Sequence, residues 1–148
     1  MSTDQNALQQ LLDEAEIARL LTRYATAVDA RDWDLYRTVF TPDAWIDYTS
    51  APHGQAGNLD ETVAWLAASL TLLPMTMHYV LNIDAAIDGD GATVRAMFYN
   101  PLQIPGVEGT SFCGGYYNHT LVRTGDGWRS ARLIEENLWF ENNPFASS

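Results

Sequence analysis

The sequence predicts an α+β protein, with three N-terminal helices lying on one face of a strongly curved, mainly antiparallel sheet. Two observations carry this reading. Up to residue 73 apolar residues recur at helical spacing in three separate runs, and from residue 76 the pattern changes to alternation for the rest of the chain. In addition, the pair Gly114-Gly115 inside a long strand-like run marks a bend or bulge where the sheet curls.

From Leu8 to Val28 the residues Leu8, Leu11, Leu12, Ile17, Leu20, Leu21, Tyr24, Ala25 and Val28 form an apolar stripe. Asp13, Glu14, Glu16, Arg19 and Arg23 lie on the other side, which describes one long amphipathic helix. At about 100° per residue Asp29 falls beside Ala25, on the border of the stripe, so its side chain can reach inward. A carboxylate there opposes the helix dipole. The other readings of Asp29 are a solvated helix end or a pair with Arg31.

Asp32 caps a short second helix whose Trp33, Tyr36, Val39 and Phe40 share a face, and Thr41-Pro42-Asp43 ends it. Ala44 to Thr49 is aromatic and β-branched and reads as a strand; Pro52, Gly54 and Gly57 then mark a loop, the natural rim of a pocket. Asn58-x-x-Glu61 has the form of a capping box for a third helix carrying Val63, Leu66, Ala67 and Leu70, which stops before Pro74.

Thr76 to Ile83 alternates, with Met77, Tyr79, Leu81 and Ile83 on one face and His78, Val80 and Asn82 on the other. A histidine is therefore aimed at an interior. An imidazole is the side chain best placed to exchange a proton near neutral pH; the competing reading is a satisfied core histidine. Asp88-Gly89-Asp90-Gly91 is a hairpin signal, followed by a strand over 92–102, another over 110–124, a turn at Gly125-Asp126-Gly127 and a final strand over 128–140.

A chain of 148 residues with 47% hydrophobic content fits one domain over 1–148, with 141–148 a short tail. A formal net charge of −11 and a pI near 4.3 repel phosphate backbones and anionic membranes, which predicts no nucleic-acid partner. The single cysteine, Cys113, reads as a small buried apolar residue, and the polar start lacks the regions of a signal peptide, so the expected location is cytoplasmic. The apolar region from Val63 to Met77 is interrupted by Ser69, Thr71, Pro74 and Thr76, so no membrane span is expected. His53, His78 and His119 are scattered without metal-ligand spacing, and no nucleophile elbow, phosphate loop or dinucleotide fingerprint occurs. The expectation is no metal and no cofactor.

Several short runs stand in a telling order: Tyr24-Ala25-x-x-x-Asp29-x-x-Asp32-Trp33, Phe40-Thr41-Pro42-Asp43-Ala44, Ile46-Asp47-Tyr48, His78 before Asn82, and Gly115-Tyr116 leading to Asp126-Gly127-Trp128-Arg129. In these runs the chain resembles the SnoaL-like branch of the NTF2-like superfamily, over nearly its whole length. That branch includes scytalone dehydratase, hexachlorocyclohexane dehydrochlorinase and bile-acid 7α-dehydratase. The resemblance implies a cone-shaped fold with a deep pocket between helices and sheet, a homodimer, an Asp–His dyad at Asp29 and His78, and pocket tyrosines at Tyr24 and Tyr48. It also has departures. No histidine stands near Cys113, Gly114 and Gly115, where scytalone dehydratase carries a second catalytic one, and Tyr48 stands where ketosteroid isomerase has its base aspartate.

The reading is a cofactor-independent lyase or isomerase acting on an apolar cyclic small molecule. His78 is the base, Asp29 orients and stabilises it, and Tyr24 or Tyr48 donates to a developing oxyanion. The alternative is a non-catalytic binding or assembly module of the same fold. The expected pocket wall comprises Val28, Leu66, Phe98, Phe112 and Tyr116 with the two tyrosines. The face bearing Met77, Tyr79, Leu81 and Ile83 is expected to pair two copies of the chain.

Overall fold

The computed structural model describes residues 2–146. Helix α1 spans Thr3–Ala30 and starts earlier than the apolar stripe indicates, because Ser2 and Gln5 form a capping box. Its inner half, through Ile17, Leu20, Leu21, Tyr24, Ala27 and Val28, is buried, whereas Leu8, Leu11 and Leu12 are each more than half exposed. A helix of 28 residues is about 42 Å long, so its first turns overhang the sheet.

Helix α2 covers Trp33–Arg37 with Asp32 as its N-cap, and is shorter than the expected run to Phe40. Val39 and Phe40 are buried instead at the start of strand β1 (Phe40–Asp47), where the Val39 carbonyl accepts the Ser130 N–H at 2.8 Å. β1 runs through Pro42 with an irregularity between Phe40 and Trp45, so the missing proline N–H falls outside the regular ladder. Within the predicted rim loop lies a short strand, β2 (Ala56–Asn58), antiparallel to β1. Helix α3 (Leu59–Leu70) has Asn58 as its N-cap, accepting the Glu61 N–H at 2.9 Å.

The remainder is sheet: β3 (Met75–Thr76), β4 (Tyr79–Asp88), β5 (Gly91–Gln103), β6 (Ser111–Thr124) and β7 (Gly127–Glu141). The strand order is β2-β1-β7-β6-β5, and β3 and β4 both pair with the free edge of β5. All pairings are antiparallel except β1 with β7. Long strands with bulges give a strongly curled half-barrel, and the three helices pack on its concave side. No helix among the described residues is long and apolar enough to cross a membrane.

The strand expected over 76–83 is interrupted. Met77 and His78 link β3 to β4, and the Met77 N–H still reaches the Pro101 carbonyl (3.0 Å). Met77, Tyr79 and Leu81 face outward as expected, but Asn82 does not share the inner face of His78 and Val80. It sits in a bulge with φ 48°, is exposed, and its amide points to Met97 on the outer face.

The Gly114-Gly115 pair does mark a bulge. Gly114 pairs with Trp139 and Gly115 with Asn137, so Leu138 is looped out of β7. A Cβ on Gly115 would lie 1.7 Å from the Glu136 carbonyl oxygen, which only glycine avoids. Because the extra residue belongs to β7, the alternation of β6 is undisturbed: Cys113, Tyr117, His119 and Leu121 are buried. This corrects two wall residues. Phe112 lies on the outer face, stacked on Tyr99, and Tyr116 lies there too, under the Arg95 guanidinium at 3.8 Å.

Candidate functional site

The site begins where α1 stops. Arg31 takes a left-handed conformation (φ 57°) and its guanidinium folds back to the carbonyls of Val28 (2.9 Å) and Leu73 (3.3 Å) and to the Thr76 hydroxyl (2.6 Å). A cation over the last carbonyls suits the helix dipole. Arg31 also reaches the Asp29 carbonyl (3.4 Å) rather than its carboxylate, which leaves the carboxylate free to turn inward.

There it meets the link between β3 and β4. Asp29 Oδ1 lies 2.6 Å from His78 Nδ1 and accepts the Thr76 hydroxyl at 3.0 Å, while Oδ2 accepts the His78 backbone N–H at 2.8 Å. Burial alone would raise the Asp29 carboxyl, but the hydrogen bonds from the His78 ring and backbone N–H, with the Thr76 hydroxyl, outweigh it and hold the group below its ordinary value. An ionised Asp29 assigns the Nδ1 proton to the bond between them, so Nε2 is the nitrogen left for other chemistry. Nε2 makes no hydrogen bond within the described residues.

His78 forms part of the wall of a cavity of about 450 Å³ between helices and sheet. That volume suits a small organic ligand. Of the residues expected to line it, Tyr24, Val28, Tyr48, Leu66 and Phe98 do so. The rim loop contributes Ala51, Pro52 and His53, and the exposed Leu72 and Phe145 mark the open side.

The profile of the SnoaL-like domain matches residues 9–134. The chain belongs to the SnoaL-like family. An uncharacterized protein of Mycobacterium tuberculosis is 38% identical to it over 130 residues, which is 87% of this chain and 88% of the relative. Among solved structures, a candidate scytalone dehydratase from Novosphingobium aromaticivorans superposes with a TM-score of 0.82 at 20% identity, covering 99% of this chain and 95% of that one. The dehydrochlorinase LinA-type3 from Novosphingobium barchaimii gives 0.80 at 15% identity, covering 95% and 96%. These two likenesses are of fold, the NTF2-like cone.

In this SnoaL-like protein the tyrosines form a relay. Tyr48 Oη lies 2.6 Å from Tyr24 Oη and 2.9 Å from Tyr36 Oη. Three hydroxyls joined by two contacts carry three protons, so one O–H remains available beyond the relay. Burial pushes all three phenols above their ordinary value, so they remain donors at neutral pH. Trp65 of α3 stacks on Tyr48 (5.7 Å, 29°) and fixes that ring against the cavity.

The sheet wall adds residues that the sequence reading passed over: Asn100 of β5, Cys113 of β6, and Glu135 and Asn137 of β7. Glu135 was findable, since it lies two residues from the core residue Leu133 in an alternating strand. Burial pushes the Glu135 carboxyl up to about 8, and the negative charge of Asp47 adds to this. Burial also pushes the Cys113 thiol up to about 12, so it is no nucleophile at neutral pH. His119 is buried away from this cavity with Nδ1 on the Ser130 hydroxyl (2.8 Å), and burial lowers it to about 3. Among the described residues no three His, Cys, Asp or Glu side chains converge as a metal site requires.

Proposed function

We propose that this SnoaL-like protein is a cofactor-independent lyase or isomerase that removes a proton from an apolar cyclic small molecule. The observation that carries the reading is the 2.6 Å contact between Asp29 and His78 at the wall of a largely apolar cavity. A scaffold has no use for an acid held by three donors beside an imidazole that opens on a cavity. His78 Nε2 takes the proton from carbon. Asp29 holds the ring in the required tautomer and stabilises the imidazolium that forms. Tyr24 and Tyr48 supply the spare hydroxyl proton of their relay to the oxygen that gains charge.

The test is to screen purified protein for proton exchange or elimination on cyclic ketones and alcohols, then repeat each active reaction with Asp29→Asn and His78→Gln. Loss of turnover with fold and ligand binding retained is the expected result. Undiminished turnover in either variant would discard the dyad mechanism and leave a binding or assembly module.

A further inference from the structure

We propose that Glu135 is a second catalytic residue of this cavity, the acid that protonates a departing hydroxyl. The proposal deepens the proton-abstraction reading and rests on it. Its geometry comes from β7. Glu135 and Glu136 are neighbours in sequence with opposite fates: Glu136 points outward and pairs with Arg95 at 2.9 Å, while Glu135 pairs with Tyr117 across the ladder and faces the cavity. No arginine among the described residues forms an ion pair with Glu135, and the chain contains no lysine.

The groups packed around Glu135 keep it neutral. From β1 comes Asp47, an anion that its own hydrogen bonds to Thr49 hold below the ordinary carboxylate range. From α1, α2 and the segment after β1 come the phenols of Tyr24, Tyr36 and Tyr48, and from β6 come Tyr117 and Cys113, all pushed up by burial. The Asn137 amide on its own strand hydrogen-bonds it without supplying charge. An acid without a cation in such surroundings carries its proton at neutral pH, and so can give it away.

His78, in the link between β3 and β4, and Glu135 of β7 line one cavity from positions separated by β5 and β6. They are placed to work on a ligand held between them. An independent mark of that ligand is Asn100 Oδ1, a buried acceptor in the same wall with no hydrogen-bond partner. A hydroxyl on the ligand satisfies it as a donor.

The step balances without a co-reactant. His78 Nε2 takes the proton from the carbon next to the hydroxylated one, and the C–H electron pair becomes the new C=C bond. The C–O bond breaks with its electron pair on oxygen, and that oxygen takes the Glu135 proton and leaves as water. The resulting imidazolium and carboxylate are reset when His78 loses a proton to solvent and Glu135 gains one. A departing chloride needs no such proton, which separates the two substrate classes.

The probes are 3-hydroxy-1-tetralone and 3-chloro-1-tetralone, both of which eliminate to fluorescent 1-naphthol. The expected result is that Glu135→Gln lowers enzymatic dehydration of the alcohol by 100-fold or more, leaves elimination of chloride within threefold, and removes a fall in dehydration above about pH 8. Equal effects on the two probes, no effect on either, or no turnover of either by the unaltered protein overturn the proposal. A second measurement requires no variant: in protein labelled at glutamate Cδ, one carboxyl resonance is to titrate near pH 8. If every glutamate is already ionised at pH 7, the proposal fails whatever the rates. The underlying dyad reading fails differently, by full turnover of the chloro-ketone in Asp29→Asn.

Discussion

Asp29 grips His78 at two points, the ring through Oδ1 at 2.6 Å and the backbone N–H through Oδ2 at 2.8 Å. The ring is thereby fixed in both tautomer and position. Replacing Asp29 by Asn keeps the shape but removes the charge, and is expected to lower turnover by roughly 10²–10⁴ with little change in ligand affinity. Steady-state rates beside direct binding measurements decide it; a change in affinity alone would contradict the assignment.

The stability of the fold leans on a second carboxylate far from the cavity. Asp13 takes two hydrogen bonds from Arg123 (2.7 and 2.9 Å) and one from the Trp128 indole (3.1 Å), and these bonds bring it down to about 2 despite burial. Asp13→Ala leaves the indole N–H and part of the guanidinium unpaired, at a cost of about 2–4 kcal/mol. Urea unfolding of the two proteins measures this, and a difference under 0.5 kcal/mol would show that the cluster is only surface decoration.

Acid should weaken the protein in two stages. His119, lowered by burial to about 3, is neutral in the fold but takes a proton in the unfolded chain below about 6.5, so its contribution is complete above about pH 6.5 and declines toward pH 3. Asp13 and Asp29, both lowered, contribute fully above about 4 and lose that contribution as pH falls through their folded values. His119→Asn, which can keep the bond to Ser130, is expected to flatten the slope of unfolding free energy between pH 6 and 4. An unchanged slope would assign the effect elsewhere.

Glu135 works in the opposite direction. Its folded value of about 8 lies above the ordinary 4.5, so its contribution is complete below 4.5 and is lost as pH rises toward 8. Glu135→Gln removes that loss. The variant should match the parent at pH 4.5 and exceed it by about 1–3 kcal/mol at pH 9, a figure discounted for partial exposure. Melting curves at the two pH values are sufficient, and a variant less stable at pH 9 would mean that the carboxyl is already ionised in the fold.

Met77, just before β4, and Tyr79 and Leu81 on the outer face of β4, between 43% and 48% exposed, lie beside Met97 and Trp139. Such an apolar patch is expected to be covered by the same patch on a second copy. Sedimentation at micromolar concentration should give twice the 16.5 kDa chain mass, and Leu81→Asp should halve it. A monomer in the unaltered protein would leave the face without a self-partner.

Much of this architecture was legible in the sequence because its signals are local. The apolar stripe of α1, the Asn58 cap of α3 and the Asp-Gly hairpin between β4 and β5 depend on residues a few positions apart. The placing of Asp29 at the rim of the stripe and of His78 on an inward face needed no more than periods of 3.6 and 2. Three-dimensional packing decided the rest, because it concerns which of two faces is inner and what stands opposite. Both faces of β6 are apolar, so alternation could not tell Phe112 and Tyr116 from Cys113 and Tyr117 until the helices covered one side. The bulge at Asn82 reversed one expected residue, and Arg31 left Asp29 free only because Leu73 and Thr76 came within its reach from over 40 residues away. Alternation with Leu133 puts Glu135 on the inner face, but it does not say whether the carboxyl is ionised there. Its proton is a consequence of the fold, which turns it into an apolar cavity beside the Asp47 charge while the arginine beside its neighbour stays on the other side of the sheet.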